Sequence, residues 1–283
     1  MTADDARPNA AQIDYWNAGG GATWAAFQAL LDCQLDPLGR VVIDVLTPKP
    51  GDRILDVGCG CGHTSLQLAA IVGVGGRVVG ADISRPMLDV ARTRDLPAGV
   101  NRPVFVEADA QVAHFDDAPF DAIFSRFGVM FFVDTVAAFA NLKSALKPGG
   151  RFGFVAWRSP SENLWMRLPA EAAAPFLPPR PPSDPDAPGP YRLADGGFIE
   201  RCLAASGFAD ISIRPHDVPV GGLRIEDALK LALKVGPLGA ALREYPDKAG
   251  DVIAAVRDLL ERHIDAEGRV FMPSASWIVT ARA

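Results

Sequence analysis

Cysteine and long apolar runs are scarce in this sequence. Its four cysteines are too few and too unevenly spaced for a disulfide framework. Cys59 and Cys61 stand within one glycine-rich turn, with no second pair of Cys or His residues at ligand spacing, so we predict no metal site. No apolar stretch approaches the roughly 20 residues that span a bilayer, and residues 1–7 are polar, unlike a signal peptide. We therefore expect a cytoplasmic protein without a membrane partner.

Positive charge is also in deficit. The 28 Lys and Arg residues are outnumbered by 34 Asp and Glu residues, which gives a net charge of −6. This balance argues against a broad surface for nucleic acid, although it leaves room for a local basic pocket. The chain has 283 residues, of which 49% are hydrophobic, and can bury a core as one large domain or as one domain with a cap. We predict no nucleic-acid partner, and a homodimer is compatible with the sequence.

One glycine-rich stretch organises the rest of the chain. Residues 54–57 are a short apolar run, typical of a buried parallel strand. Gly58, Gly60 and Gly62 then alternate, which allows positive φ and close approach of a ligand to the backbone. Thr64 begins a predicted helix. A strand, a glycine turn and a helix N-terminus together form a pocket for a polar or anionic group.

Acidic residues end the next two predicted strands. Asp82 lies 26 residues after Asp56, about one βαβ unit further on, where a carboxylate can hold two ribose hydroxyls. Ser84 and Pro86 already supply the start of the following helix, which favours a ligand role for Asp82 over a capping role. Asp109 closes the third strand, where its carboxylate can accept a hydrogen bond from the exocyclic amine of adenine.

The glycine turn does not match the dinucleotide-binding pattern G-x-G-x-x-G. His63 or Ser65, depending on the register, stands where the third glycine is required. An enzyme dependent on NAD or a nucleotide sugar is therefore disfavoured, but it remains an alternative at this point.

The motif order resembles that of class I S-adenosylmethionine-dependent methyltransferases. The turn D-x-G-x-G-x-G, the acid after the second strand, Asp109-Ala110, the F-D…S segment of residues 120–125 and L-K-P-G-G at residues 146–150 occur in the family's order. Within that family the ubiquinone/menaquinone methylase-like subgroup is the most similar. The turn of residues 125–128 differs from that of quinone-specific members, which counts against a quinone acceptor.

The resemblance implies a fold, a cofactor and a reaction. The expected fold is an α/β, Rossmann-like, doubly wound and mostly parallel sheet of seven strands with a helical cap. The expected cofactor is S-adenosyl-L-methionine, with Thr64 and the amides after Gly60 near its carboxylate and the Ser125 carbonyl near its ammonium. The expected reaction is methyl transfer to a small-molecule acceptor enclosed under the cap.

The predicted site has two parts. The cofactor part comprises Trp16, Trp24, Asp56, Gly58, Cys59, Gly60, Gly62, Thr64, Asp82, Ile83, Met87, Asp109, Ala110 and Ser125. The acceptor part comprises Tyr15, Arg126, Phe127, Met130 and Phe131. Arg126 could hold an anionic acceptor or form a salt bridge within the fold.

The chain divides into segments along its length. Residues 1–49 are a predicted N-terminal helical flap, and residues 50–157 a cofactor-binding core. Residues 158–194 are a cap insertion with a proline-dense loop at 178–190. Residues 195–223 continue the core, residues 224–268 form a helical cap insertion, and residues 269–283 form the last core strand.

The N-terminal segment carries aromatic residues on either side of three glycines. Trp16 and Trp24 flank residues 19–21, which suggests a glycine hinge in a mobile flap that closes over the cofactor. The alternative is that these tryptophans are ordinary core packing. Helices are expected at about residues 25–31 and 38–46, the second ended by Pro48 and Pro50.

No catalytic residue can be assigned from the sequence. A general base is needed only if the acceptor loses a proton. The candidate bases are His63, His114, His216, His263 and Tyr15. A non-catalytic S-adenosylmethionine-binding protein, with a blocked or uncapped crevice, is the third functional class that we consider.

Overall fold

The computed structural model describes residues 8–96, 98–179, 184 and 186–283. Residues 1–7 of the predicted flap and part of the predicted loop at 178–190 lie outside the described residues. The helices are α1 (Ala10–Asn17), α2 (Gly19–Ala26), α3 (Gln28–Leu46), α4 (His63–Val72), α5 (Arg85–Thr93), α6 (Thr135–Ser144), α7 (Leu164–Ala173), α8 (Gly196–Ala205), α9 (Ile225–Lys234), α10 (Gly236–Glu244) and α11 (Ala249–Glu261). The strands are β1 (Arg53–Val57), β2 (Arg77–Asp82), β3 (Val104–Glu107), β4 (Phe120–Arg126), β5 (Leu146–Trp157), β6 (Ala209–His216), β7 (Pro219–Arg224), β8 (Arg269–Pro273) and β9 (Ser276–Arg282).

Seven strands form the main sheet, in the order β3-β2-β1-β4-β5-β9-β6. Strands β1 to β5 run parallel to their neighbours in this set, whereas β9 is antiparallel to both β5 and β6. This arrangement confirms the predicted doubly wound, mostly parallel fold. The strand order reverses between β1 and β4, and ligands of open α/β sheets bind outside the carboxyl ends of the strands at such a point.

Helix α3 covers one face of the sheet and is longer than the sequence predicted. Its inward stripe recurs every three or four residues, as expected for an amphipathic helix, and consists of Leu31, Leu35, Leu38, Val42 and Leu46. The prediction of two separate helices was wrong, because Pro37 lies inside one continuous helix of 19 residues. The free energy gained by burying this stripe against β4, β5 and β9 exceeds the cost of the one backbone hydrogen bond that Pro37 cannot donate.

The predicted glycine hinge is the first turn of a helix. Residues 19–21 open α2, and both Gly20 and Gly21 are buried. A Cβ added at Gly21 would lie 2.0 Å from the Trp16 carbonyl oxygen and 2.3 Å from Ser84 Oγ. The glycines therefore allow close packing of α2 on its neighbours, and the sequence interpretation of this run as a hinge was wrong.

The cap consists of helices and a small second sheet. Strands β7 and β8 pair antiparallel with each other and not with the main sheet. Of the predicted core segments 195–223 and 269–283, only β6 and β9 are strands of the main sheet, so the assignment of residues 219–223 and 269–273 to it was wrong. A second buried cluster lies within the cap and comprises Ala173, Leu229, Leu233, Leu238, Val252, Val256, Leu260, Val270 and Met272. Among the described residues, no helix is both long and apolar enough to cross a membrane.

Candidate functional site

A cavity of about 510 Å³ begins at the carboxyl ends of β1, β2 and β4 and continues beneath the cap. Its sheet side is lined by the glycine turn, by the residues that end β2 and by those that follow β3 and β4. Its cap side is mostly aliphatic and includes Val220, Leu223, Ala228, Leu231, Ala232, Val235, Leu238, Leu260, Val270 and Met272. One enclosure therefore joins a polar end near the strands to an apolar end under the cap.

Two glycines of the turn act in different ways. Gly58 has a φ of +67°, and a Cβ there would lie 2.6 Å from the Cα of Gly128. The backbones after β1 and β4 thus touch, which only glycine at both positions allows. A Cβ at Gly60 would meet only Met87 Sδ, at 3.8 Å, so this glycine leaves open space beside the cavity.

Asp82 is held at the end of β2 by two backbone amides. Its Oδ2 accepts a hydrogen bond from Gly60 N and its Oδ1 accepts one from Ser84 N, both at 2.8 Å. Burial raises the pKa of this carboxyl group, while the bonds from Ser84 and Gly60 oppose the rise. A carboxylate has about four acceptor positions, so two remain for a ligand in the cavity that Asp82 lines. This geometry suits a pair of ribose hydroxyls.

Asp109 carries an unsatisfied acceptor in the same cavity. Its Oδ1 accepts hydrogen bonds from Asn9 Nδ2 at 2.8 Å and from Gln111 N at 3.0 Å. Its Oδ2 is buried and has no partner among the described residues. Buried acceptors are nearly always paired in folded proteins, so this oxygen fits a ligand N–H such as the exocyclic amine of adenine.

Some predicted cofactor residues form the floor beneath the cavity and do not line it. These are Asp56, Cys59, Gly62, Thr64 and Ser125. Asp56 Oδ2 accepts hydrogen bonds from Thr64 Oγ1 at 2.8 Å and Ser65 Oγ at 2.6 Å. Ser125 Oγ donates to the Val57 carbonyl oxygen at 2.7 Å.

The remaining predicted site residues all line the cavity. For the cofactor part they are Trp16, Trp24, Gly58, Gly60, Asp82, Ile83, Met87, Asp109 and Ala110. For the acceptor part they are Tyr15, Arg126, Phe127, Met130 and Phe131. The fold therefore brings together side chains from five separate stretches of the sequence, and their contacts with a ligand stay predictions.

The N-terminal aromatic residues pack on one another over the cofactor end. The Trp16 ring contacts Tyr15, Trp24 and Phe131 edge to face, with centroid distances of 5.2, 5.9 and 5.2 Å. Polar ties add to this packing, since Ser84 Oγ donates to the Trp16 carbonyl oxygen at 2.8 Å. The segment is thus joined to the end of β2, where the cofactor is predicted to bind.

A second aromatic group lies where the cavity passes under the cap. Phe127 and Trp157 stack at a centroid distance of 4.0 Å, and Trp165 lies 5.2 Å from Trp157. Phe127 has a φ of +63°, which is uncommon for a bulky residue. Strained backbone of this kind clusters at functional sites. The aromatic faces offer an apolar surface for a flat ligand.

Few ionisable side chains line the cavity. Among the described lining residues they are Tyr15, Asp82, Asp109 and Arg126. None of the four histidines is among them, so of the candidate bases only Tyr15 reaches the cavity. His63 instead faces α3, with Nε2 2.8 Å from Asp36 Oδ1. No group of three or more His, Cys, Asp or Glu within the described ranges could hold a metal ion.

Sequence reasoning missed polar residues of the N-terminal helices. Gln12 and Gln34 line the cavity, and Gln34 is 8% exposed. A signal for Gln34 exists, because it lies three residues after Leu31 and four before Leu38, on the buried face of α3. Asn9 has no such signal, because its partner Asp109 is 100 residues away.

Comparison with known proteins finds relatives for part of the chain. Residues 54–150 match a family model described as a methyltransferase domain. The chain is 40% identical over 152 residues to a demethylmenaquinone methyltransferase of Clavibacter sepedonicus, covering 52% of this chain and 60% of that protein. It is 35% identical over 118 residues to the aklanonic acid methyltransferase DauC of a Streptomyces species, covering 42% of this chain and 54% of that protein.

Solved structures share the fold over most of the chain. The YcgJ protein of Bacillus subtilis superposes with a TM-score of 0.57 at 19% identity, over 86% of this chain and 96% of that chain. At this identity the likeness concerns the fold alone. The chain spans between about half and three fifths of the length of the curated relatives that it matches, 55% of one and 60% of another.

Proposed function

We propose that this chain, whose residues 54–150 match a family model described as a methyltransferase domain, is a class I S-adenosylmethionine-dependent enzyme that methylates a small apolar acceptor enclosed under its cap. The family match confirms the resemblance drawn from the motifs. The observation that carries the proposal is that one cavity is lined both by Asp82, whose carboxylate is held rigidly, and by Asp109, whose Oδ2 has no hydrogen-bond partner among the described residues. These two acceptors suit the ribose hydroxyls and the adenine amine of one adenosyl group.

The protein's task is positioning. S-adenosylmethionine, when bound, supplies an electrophilic methyl group on a sulfonium, so no covalent activation by the protein is needed. Asp82 would hold the ribose and Asp109 the adenine amine, while Ile83 and Met87 pack beside the base. The cap and the N-terminal aromatics would exclude water and orient the acceptor.

The lining under the cap supports an apolar acceptor. Its aliphatic residues and the ring faces of Phe127, Trp157 and Trp165 favour a flat hydrophobic molecule. Two relatives are named for small molecules, demethylmenaquinone and aklanonic acid, which agrees with an acceptor of this size. Because no histidine faces the described lining, we propose an acceptor whose nucleophilic group ionises without a histidine base.

The alternative functions are less well supported. An NAD- or nucleotide-sugar-dependent enzyme needs a glycine where His63 or Ser65 stands, and the named relatives are methyltransferases. A non-catalytic binding protein should have a blocked crevice, whereas this cavity continues from the strand ends into the cap. A cytoplasmic location, the absence of a nucleic-acid partner and a homodimer stay predictions.

Calorimetry tests the choice of cofactor. We expect S-adenosylhomocysteine to bind in the micromolar range, because Asp82 and Asp109 face the same cavity, and NAD to show no heat of binding. A protein that binds NAD and does not respond to S-adenosylhomocysteine would contradict the proposal.

Hydrogen exchange tests the N-terminal flap. Tyr15, Trp16 and Trp24 line the cofactor end, so a bound ligand should add apolar surface against them. We expect amides of residues 12–26 to exchange more slowly when S-adenosylhomocysteine is bound. Residues 39–46 of α3, which do not line the cavity, serve as the internal control. Equal protection of residues 12–26 in both states would make these tryptophans ordinary core packing.

A further inference from the structure

Arg126 is a buried cation without an adequate partner. It ends β4, lines the cavity, and its side chain is only 12% exposed. Its single ion pair among the described residues is long, 3.6 Å from Nη2 to Asp32 Oδ1, and its Nη1 is buried without a hydrogen-bond partner. A buried charge in this state is costly unless a further group compensates it.

The carboxylate beside Arg126 is shared with another arginine. Asp32 Oδ2 lies 2.6 Å from Arg94 Nη1, and His63 Nδ1 lies 3.4 Å from the same oxygen. One carboxylate therefore faces two guanidinium groups, and Arg94 has the shorter contact. Asp56 and Asp36 also act on the charge of Arg126. Asp56 Oδ2 accepts the hydroxyls of Thr64 and Ser65, and its Oδ1 has no hydrogen-bond partner among the described residues. None of these carboxylates makes a hydrogen bond to Arg126 Nη1, which stays available to a ligand group.

The position of Arg126 indicates which ligand group supplies that anion. A Cβ added at Gly39 would lie 3.1 Å from Arg126 Cδ and 3.3 Å from Thr64 Cγ2, so the arginine runs beside the start of α4. Thr64 itself is 2% exposed and donates its hydroxyl to Asp56, which removes it as a ligand contact. Arg126 thus lies near the start of α4, at the glycine-turn end of the cavity.

We propose that Arg126 binds the carboxylate at the amino-acid end of the cofactor. The proposal rests on the proposed function, since it assumes that the adenosyl end lies at Asp82 and Asp109. A guanidinium presents paired N–H donors that match a carboxylate. The sequence expectation that amides after Gly60 also lie near this carboxylate stays a prediction.

Two ligands that differ in the amino-acid end test the proposal. S-adenosylhomocysteine carries the carboxylate, and 5′-methylthioadenosine has the same adenosyl group without it. In calorimetry, Arg126→Met should raise the dissociation constant of S-adenosylhomocysteine about 10- to 50-fold. It should change 5′-methylthioadenosine binding less than about threefold, because that ligand has no group for Arg126.

Arg94→Met is the matched control, because Arg94 pairs with the same Asp32 but does not line the cavity. This variant should leave the ratio of the two affinities unchanged. If Arg126→Met does not fold, Arg126→Lys decides: a loss confined to S-adenosylhomocysteine supports the proposal, and an equal loss for both ligands overturns it. Unchanged S-adenosylhomocysteine affinity in a folded Arg126→Met variant would also overturn it. Wild-type protein that binds neither ligand would instead refute the proposed function.

Discussion

Replacing Asp82 with alanine should weaken S-adenosylhomocysteine binding by about 2–4 kcal/mol while the fold survives. Hydrogen bonds to a charged acceptor each contribute about 1.5–3 kcal/mol, and Asp82 has two acceptor positions left for ribose. The contribution of Asp82 to the binding free energy is large because Gly60 N and Ser84 N already fix its carboxylate, so little side-chain entropy is lost on binding. Calorimetry on the folded variant measures the loss.

Glu107→Ala is the matched control for Asp82→Ala. Glu107 ends β3, is exposed, and pairs with Arg85 outside the cavity, so its removal should leave the dissociation constant unchanged. Circular dichroism should show that both variants keep their helices and strands. An unchanged dissociation constant in Asp82→Ala would mean that Asp82 does not bind the ligand and only accepts backbone hydrogen bonds such as that from Ser84 N.

Much of the sheet could be predicted because its information is local. Strands β2 and β4 end on polar residues, Asp82 and Arg126, and β1 contains the apolar run predicted at residues 54–57. The β7–β8 pair could not be predicted in this way. Three helices separate its two strands along the sequence. Pairing over that sequence distance depends on packing of the cap.

The site was predictable where spacing along the chain determines position. Asp82, at the end of β2, and Asp109, two residues beyond the end of β3, face the crevice because parallel strands end at one edge. The prediction that Asp109 itself closes the third strand was wrong, because β3 ends at Glu107. Side-chain direction was not predictable in the same way. His63 lies in the glycine turn, yet as the first residue of α4 it faces Asp36. Packing of α3 decides this, and the same packing brings Gln34 to the cavity.

Asp56 should make the protein less stable as the pH rises from about 4 to about 7. The side chain is fully buried, and burial raises its pKa from 3.8 to about 6, against the opposing bonds from Ser65 and Thr64. Between these values the folded state holds a proton that the unfolded chain has lost, so the free energy of unfolding falls with rising pH. A shift of about two pKa units corresponds to roughly 3 kcal/mol.

The variant Asp56→Asn isolates this contribution from all other titrating groups. Asparagine keeps an oxygen for the hydroxyls of Thr64 and Ser65 and carries no charge at any pH. The unfolding free energy of the wild type minus that of the variant, from urea titrations, should therefore decrease by roughly 3 kcal/mol between pH 4 and 7 and stay level above pH 7. A difference that does not change with pH would mean that Arg126 and the two hydroxyls stabilise the charged form of Asp56 enough to cancel the effect of burial.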